Sequence, residues 1–142
     1  MKKISAVVPC YNAADYLDKC IGQLLHQTIG IDAIEIILVD DASTDDGRTK
    51  SVIRRYEQQF PETIMAVFLG ENMRQGGARN VGVSYASGEY ITFCDADDWL
   101  LEEALEHAYR AAKQYDADIV AFARITADTR EGGQKLAAGD QN

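Results

Sequence analysis

Basic residues are scarce in this chain: 14 Lys and Arg stand against 23 Asp and Glu, for a net charge of −9. With no basic face to neutralise phosphates, the balance argues against nucleic acid as a partner. An anionic small molecule is still admissible where a bound cation or a few placed arginines overcome the chain's own field. Long apolar runs are missing too. None approaches the length of a membrane span, and the stretch Ile4–Val8 after Met1-Lys2-Lys3 is stopped at Pro9, too short for a signal-peptide core. The cytoplasm is therefore the expected compartment. Cysteine is limited to Cys10, Cys20 and Cys94, odd in number and without metal-site spacing, so these read as reduced thiols in the core or at element ends. The two histidines, His26 and His107, have no acid or cysteine at ligand spacing and read as structural or solvated. No G-x-G-x-x-G follows the first apolar run, which removes the dinucleotide-binding fingerprint.

What is present is an ordinary globular composition, 46% hydrophobic and 26% charged over 142 residues, enough for one domain with a real core. Short apolar runs alternate with amphipathic segments. Strands are predicted at Ile4–Val8, Ile34–Val39, Ile64–Leu69, around 90–94 and at Ile119–Ala123. Helices are predicted from an Asn12 cap (with Asp15 as a weak capping box) to about Gln27, from Gly47 to Gln59, from the end of the glycine-bearing loop Glu71–Gly77 to about Ser87-Gly88, and from Leu101 to Tyr115. Strict alternation of this kind predicts an α/β, Rossmann-like fold: a mostly parallel sheet with helices on both faces. Residues 1–125 read as that domain and residues 126–142 as a polar, disordered tail.

The segment Tyr90-Ile91-Thr92-Phe93-Cys94-Asp95-Ala96-Asp97-Asp98 stands out. Its first five residues are β-branched or aromatic at four positions, which predicts a buried, central strand. Asp95, Asp97 and Asp98 then crowd the carboxyl end, where open α/β sheets place their ligands. Like charges this close repel unless a cation sits among them, and hard oxygen donors suit a divalent ion that also holds phosphates. A solvated acidic turn is the plainer alternative. Cys94 reads as a small buried residue at a strand end, not as a nucleophile.

Other loops at strand carboxyl ends carry groups suited to a nucleotide. Tyr11 offers an aromatic face for a base, Asp41 can accept from a base or sugar, and Arg79 near a helix start can steady a phosphate. Each also has a plainer role: Asp41 capping a turn, Tyr11 packing on the first helix, Arg79 pairing with a surface acid, Asn80 lying as a helix-surface amide.

Taken together, Val7-Val8-Pro9-Cys10-Tyr11-Asn12, Leu38-Val39-Asp40-Asp41-Ala42-Ser43-Thr44-Asp45, Gly77-Ala78-Arg79-Asn80-Val81-Gly82 and Gly88 to Asp98 resemble, in order, the opening strand, VDDGSTD, ARNxG and DXD segments of family 2 glycosyltransferases of the GT-A fold. The resemblance spans Ile4 to about Arg124. It implies an inverting transferase that binds a nucleotide-diphosphate sugar, UDP-linked in most members, for cell-surface polysaccharide synthesis. It further implies that Pro9, Tyr11 and Asn12 line the nucleotide site, that Asp41 holds the base, and that Arg79 lies near base and diphosphate. Asp95 and Ala96 would face the ribose or donor sugar, with Asp97, joined by Asp95, on Mn2+ or Mg2+. Ala42 and Met73-Arg74 depart from the family, which commonly has glycine at these points. The general base and the glycan or lipid-linked acceptor site belong to a second half expected beyond this chain, which would be a fragment, with any peripheral membrane association carried by that missing part. The alternative is a nucleotide-binding module without catalysis. A phosphoacceptor receiver domain needs an acidic pair after the first strand and a lysine after the fifth, where Pro9-Cys10-Tyr11 and Arg124-Ile125-Thr126 stand instead.

Overall fold

A computed structural model describes residues 1–118. Strands β1 (Ile4–Cys10), β2 (Ile34–Asp40), β3 (Ile64–Phe68) and β4 (Tyr90–Phe93) form one sheet in the order β3-β2-β1-β4, and every pairing is parallel. Helices α1 (Ala14–Leu25), α2 (Arg48–Gln59) and α3 (Arg74–Tyr85) make the crossovers, α4 (Ala104–Gln114) follows β4, and a 3-10 turn spans Ile31–Ala33. The α/β architecture read from the alternation is therefore the observed one. The expected fifth strand at Ile119–Ala123 and the polar tail lie outside the described residues.

β1 is buried along its whole length because both of its faces are covered. Ile4, Ala6, Val8 and Cys10 point into a core built with Leu17, Cys20, Ile21 and Leu24 of α1, Ile53 of α2 and Leu105 of α4. Val7 points the other way, to Ile37, Val39 and Ala78 of α3. Helices thus lie on both faces, with α3 alone on its side among the described residues. That division follows from the crossovers. The chain steps from β1 to β2 to β3 in one direction, then α3 carries it back past β1 to β4; right-handed connections running in opposite directions fall on opposite faces. The order reverses at β1, so the crevice for a ligand opens between the carboxyl ends of β1 and β4.

Three expectations need correction. β4 is not buried throughout: it spans only four residues, pairs with β1 among the described strands, and leaves Ile91 and Phe93 42% and 47% exposed. Its aromatic and β-branched run reflects pairing with β1, while the face beyond α3 has no described element over it. Asn12 does not cap α1; Ala13 occupies that position without a side-chain bond, and Asn12 is turned to the neighbouring loop. Finally, the loop predicted over 71–77 ends early, because α3 starts at Arg74 and runs through Gly76 and Gly77.

Candidate functional site

The crevice is a cavity of about 400 Å³. One wall is the turn after β1, with Pro9, Tyr11 and Asn12, backed by Tyr16. Asp41 comes from the end of β2, Gln75 from the first turn of α3, and Asp95, Ala96 and Asp97 from the turn after β4. Of the residues proposed from sequence for nucleotide or metal contact, Pro9, Tyr11, Asn12, Asp41, Asp95, Ala96 and Asp97 line this space; Asp98 does not, and Arg79 stands behind Asp95.

The β1 and β2 turns are fastened to each other. Asn12 has a left-handed backbone (φ 48°), which lets its Oδ1 accept from Thr44 N at 2.8 Å while its Nδ2 donates to Thr44 Oγ1 at 3.2 Å. Asn12 N donates to Ser43 Oγ at 3.0 Å, and Tyr11 Oη lies 3.5 Å from Thr44 Oγ1. Tyr11 is therefore held by its hydroxyl with its ring half exposed, instead of packing down on α1. Asp41 is buried and accepts from Met73 N at 2.6 Å, while Asn72 Nδ2 donates to its carbonyl at 3.2 Å. This ties the β2 turn to the start of α3.

Two departures from the family pattern keep a glycine-like backbone with a side chain on it. Ala42 has φ 57° and Arg74 has φ 65°. Left-handed conformations strain any residue with a Cβ by about 1–2 kcal/mol; the Asp41 and Asn72 bonds on either side hold Arg74 in place, since Asn72 Oδ1 accepts from Arg74 N at 3.0 Å.

α3 grips Asp95. Gln75 Nε2 donates to its Oδ1 at 2.5 Å and Arg79 Nη2 donates to the same oxygen at 3.1 Å. Arg79 also lies over the Phe93 ring, 5.5 Å from its centroid. The sequence reading offered Arg79 a phosphate or a surface acid; its described partner is an acid of the site itself. Gln75, Ser43 and Thr44 were missed. Gln75 stands one helical turn before Arg79, a spacing that marks a shared face, but only once α3 is known to begin at Arg74.

Asp95, Asp97 and Asp98 each offer a carboxylate oxygen, and these oxygens lie within 4.8 Å of one another. The backbone makes this possible by a tight turn in which Asp98 N donates to Asp95 O at 2.9 Å. Asp97 is exposed, with neither donor nor cation on its carboxylate among the described residues. A set of hard, anionic oxygens converging on one point fits Mg2+ or Mn2+.

The cysteines stay out of the chemistry. Burial, reinforced by Asp40, pushes the Cys10 thiol far above its usual range. A hydrogen bond with Cys94, 3.7 Å away, and burial do the same for Cys20. Such thiols remain protonated at neutral pH and pack as small apolar groups.

Comparison with known proteins agrees with this geometry. The profile described as glycosyl transferase family 2 matches residues 5–139. A poly(ribitol-phosphate) beta-glucosyltransferase of Bacillus spizizenii is 35% identical over 117 residues, covering 82% of this chain and 18% of that protein. Residues 1–349 of Staphylococcus aureus TarS, solved with UDP-GlcNAc, superimpose with a TM-score of 0.73 at 30% identity, over 80% of this chain and 32% of theirs. The mannosyltransferase PcManGT of Pyrobaculum calidifontis, solved with GDP-Man and Mn2+, gives 0.68 at 28% identity, over 83% of this chain and 33% of that one. The chain thus spans about a third or less of the length of these relatives.

Proposed function

The chain belongs to glycosyl transferase family 2, and on that footing we propose that it forms the donor site of an inverting glycosyltransferase that takes a nucleotide-diphosphate sugar, UDP-linked, together with Mn2+ or Mg2+. The observation that carries this reading is the pairing, across one cavity, of a base-sized wall with an acidic one. Tyr11 stacks on the base and Asp41 accepts from its N–H. Pro9 and Asn12 shape the same wall, and Ala96 leaves room beside the ribose and sugar. Asp97 and Asp95 hold the ion, with Arg79 steadying Asp95.

Charge decides how the parts depend on each other. A diphosphate entering beside three carboxylates in a chain of net charge −9 meets repulsion from every side. An ion held by Asp97 and Asp95 would offset this repulsion and would supply Lewis acidity toward the diphosphate leaving group. This chain's own contribution is to fix the donor: the base between Tyr11 and Asp41, and the diphosphate end against the acidic turn. The base that deprotonates the acceptor is assigned to none of its residues. For the acceptor, the poly(ribitol-phosphate) transferase among the relatives supports a glycan or lipid-linked chain of cell-surface polymer synthesis.

Calorimetric titration of UDP with and without Mn2+ tests the reading. Binding is expected only with the metal, and Asp97→Ala is expected to weaken it ~100-fold without lowering the thermal midpoint. GDP in a parallel titration addresses nucleotide choice, since one structural neighbour was solved with GDP-Man. Equal binding of UDP with and without metal, or by Asp97→Ala, would sink the proposal.

A further inference from the structure

We infer that Gln75 is the positioning residue of the acidic turn: with Arg79 it fixes one oxygen of Asp95, so that the other is presented to a hard cation shared with Asp97 and Asp98. This rests on the donor-site reading above. Both α3 side chains donate to Oδ1 of Asp95, at 2.5 Å and 3.1 Å, and no protein donor among the described residues meets Oδ2. Their four-residue spacing sends them off the helix in one direction. The helix that carries them is seated firmly, because Ala78 and Gly82 are buried against the sheet and a Cβ on Gly82 would lie 2.3 Å from Val7 Cγ1. α3 therefore holds Gln75 at a fixed distance from the end of β4.

Left alone, a carboxylate among two others turns away from them, since each unit charge repels its neighbours. Two donors on Oδ1 oppose that rotation. The choice of an amide is also informative. Arg79 already supplies one positive charge to Asp95; a lysine at position 75 would supply a second and cancel what attracts the cation. Gln75 orients without neutralising. Outer hydrogen bonds of this kind typically change metal affinity 10–100-fold.

Electron paramagnetic resonance of free Mn2+, titrated into the full chain without nucleotide, tests this apart from turnover. Gln75→Met keeps the side-chain length and removes the donor. It is expected to weaken Mn2+ binding about 10-fold with an unchanged thermal midpoint. Because Gln75 acts through Asp95, adding Gln75→Met to Asp95→Ala is expected to weaken binding no further. Wild-type affinity in Gln75→Met, or a full additional loss in the double variant, would overturn the inference. If Asp97→Ala weakens Mn2+ binding and Gln75→Met does not, only the role of Gln75 falls. If the wild-type chain takes up no Mn2+, the donor-site reading falls and takes this inference with it.

Discussion

From Asp40 to Gly47, after β2, the polar side chains close on their own backbone and on the neighbouring turn. Asp40 accepts from Ser43 Oγ at 2.5 Å, Thr44 is held by Asn12, and Asp45 accepts from Thr49 N at 3.2 Å and Thr49 Oγ1 at 2.6 Å. From Asp95 to Asp98, after β4, a shorter acidic stretch leaves Asp97 in solvent and gathers three carboxylates within 4.8 Å. The first turn uses its acids to specify a conformation, at the helix and loop positions where carboxylates are stabilising. The second sets like charges side by side, an arrangement that destabilises the empty turn and favours an ion. An acidic loop is thus read by where its oxygens point, not by how many it has.

If that contrast holds, substitutions in the two turns should fail in opposite ways. The largest loss of stability is expected at Thr49, which is fully buried. Its hydroxyl accepts from Ala13 N at 2.9 Å while donating to Asp45, so it joins the start of α1 to the start of α2. Thr49→Val keeps the shape but leaves a buried N–H unpartnered, at a cost of about 2–3 kcal/mol. Chemical denaturation should show the midpoint falling, with metal-dependent nucleotide affinity little changed in the protein that stays folded. A loss of affinity without a loss of stability would erase the distinction between the turns.

A smaller effect of opposite sign is expected where the turns depart from glycine. At Ala42 and Arg74 the strain of a left-handed backbone is about 1–2 kcal/mol, and a glycine gives back about 0.4–1 kcal/mol through the freedom it gains unfolded. Ala42→Gly and Arg74→Gly should each therefore stabilise the chain by about 0.5–1 kcal/mol, read as a raised denaturation midpoint. Stability falling in either variant would mean that the side chain, not the backbone, matters there. Arg74 has a further measurable consequence: it is a cation at the mouth of α3, and its removal tests whether it contributes to nucleotide affinity.

These positions also show what could be read in advance. The parallel pairing and the gathering of ligand groups at strand carboxyl ends followed from alternation and chain-crossing rules, because a hydrophobic period is local and a right-handed crossover is nearly obligatory; the strand order did not. The residues around the crevice followed from the ends of predicted strands. What could not be read were partnerships across sequence distance. Asn12 looks like a helix cap because caps and turns favour the same residues; only its contact with Thr44, 32 positions away, shows otherwise. Ile91 and Phe93 look like core, since β propensity does not say which face of a strand is covered. Gln75 has no signal of its own until the start of α3 is fixed. Resemblance to the family supplied roles for Asp41 and Asp97 that neither composition nor periodicity contained.

The faintest expected effect is in the response to acid. Asp45 has its carboxyl held below the usual range, chiefly by the hydrogen bond from Thr49 Oγ1, with backbone N–H bonds and Arg48 adding to it. A lowered native value means that the unfolded chain binds the proton first as pH falls. The stabilisation is therefore fully present above the unfolded value of about 4 and is lost as pH drops through the lower, native one. Asp45→Asn should flatten stability over that acid window and leave its slope above pH 5 unchanged. An acid titration of stability for Asp45→Asn beside the parent chain checks this. An equal or steeper acid loss in Asp45→Asn than in the parent chain would mean that this carboxylate does not serve the fold of its turn.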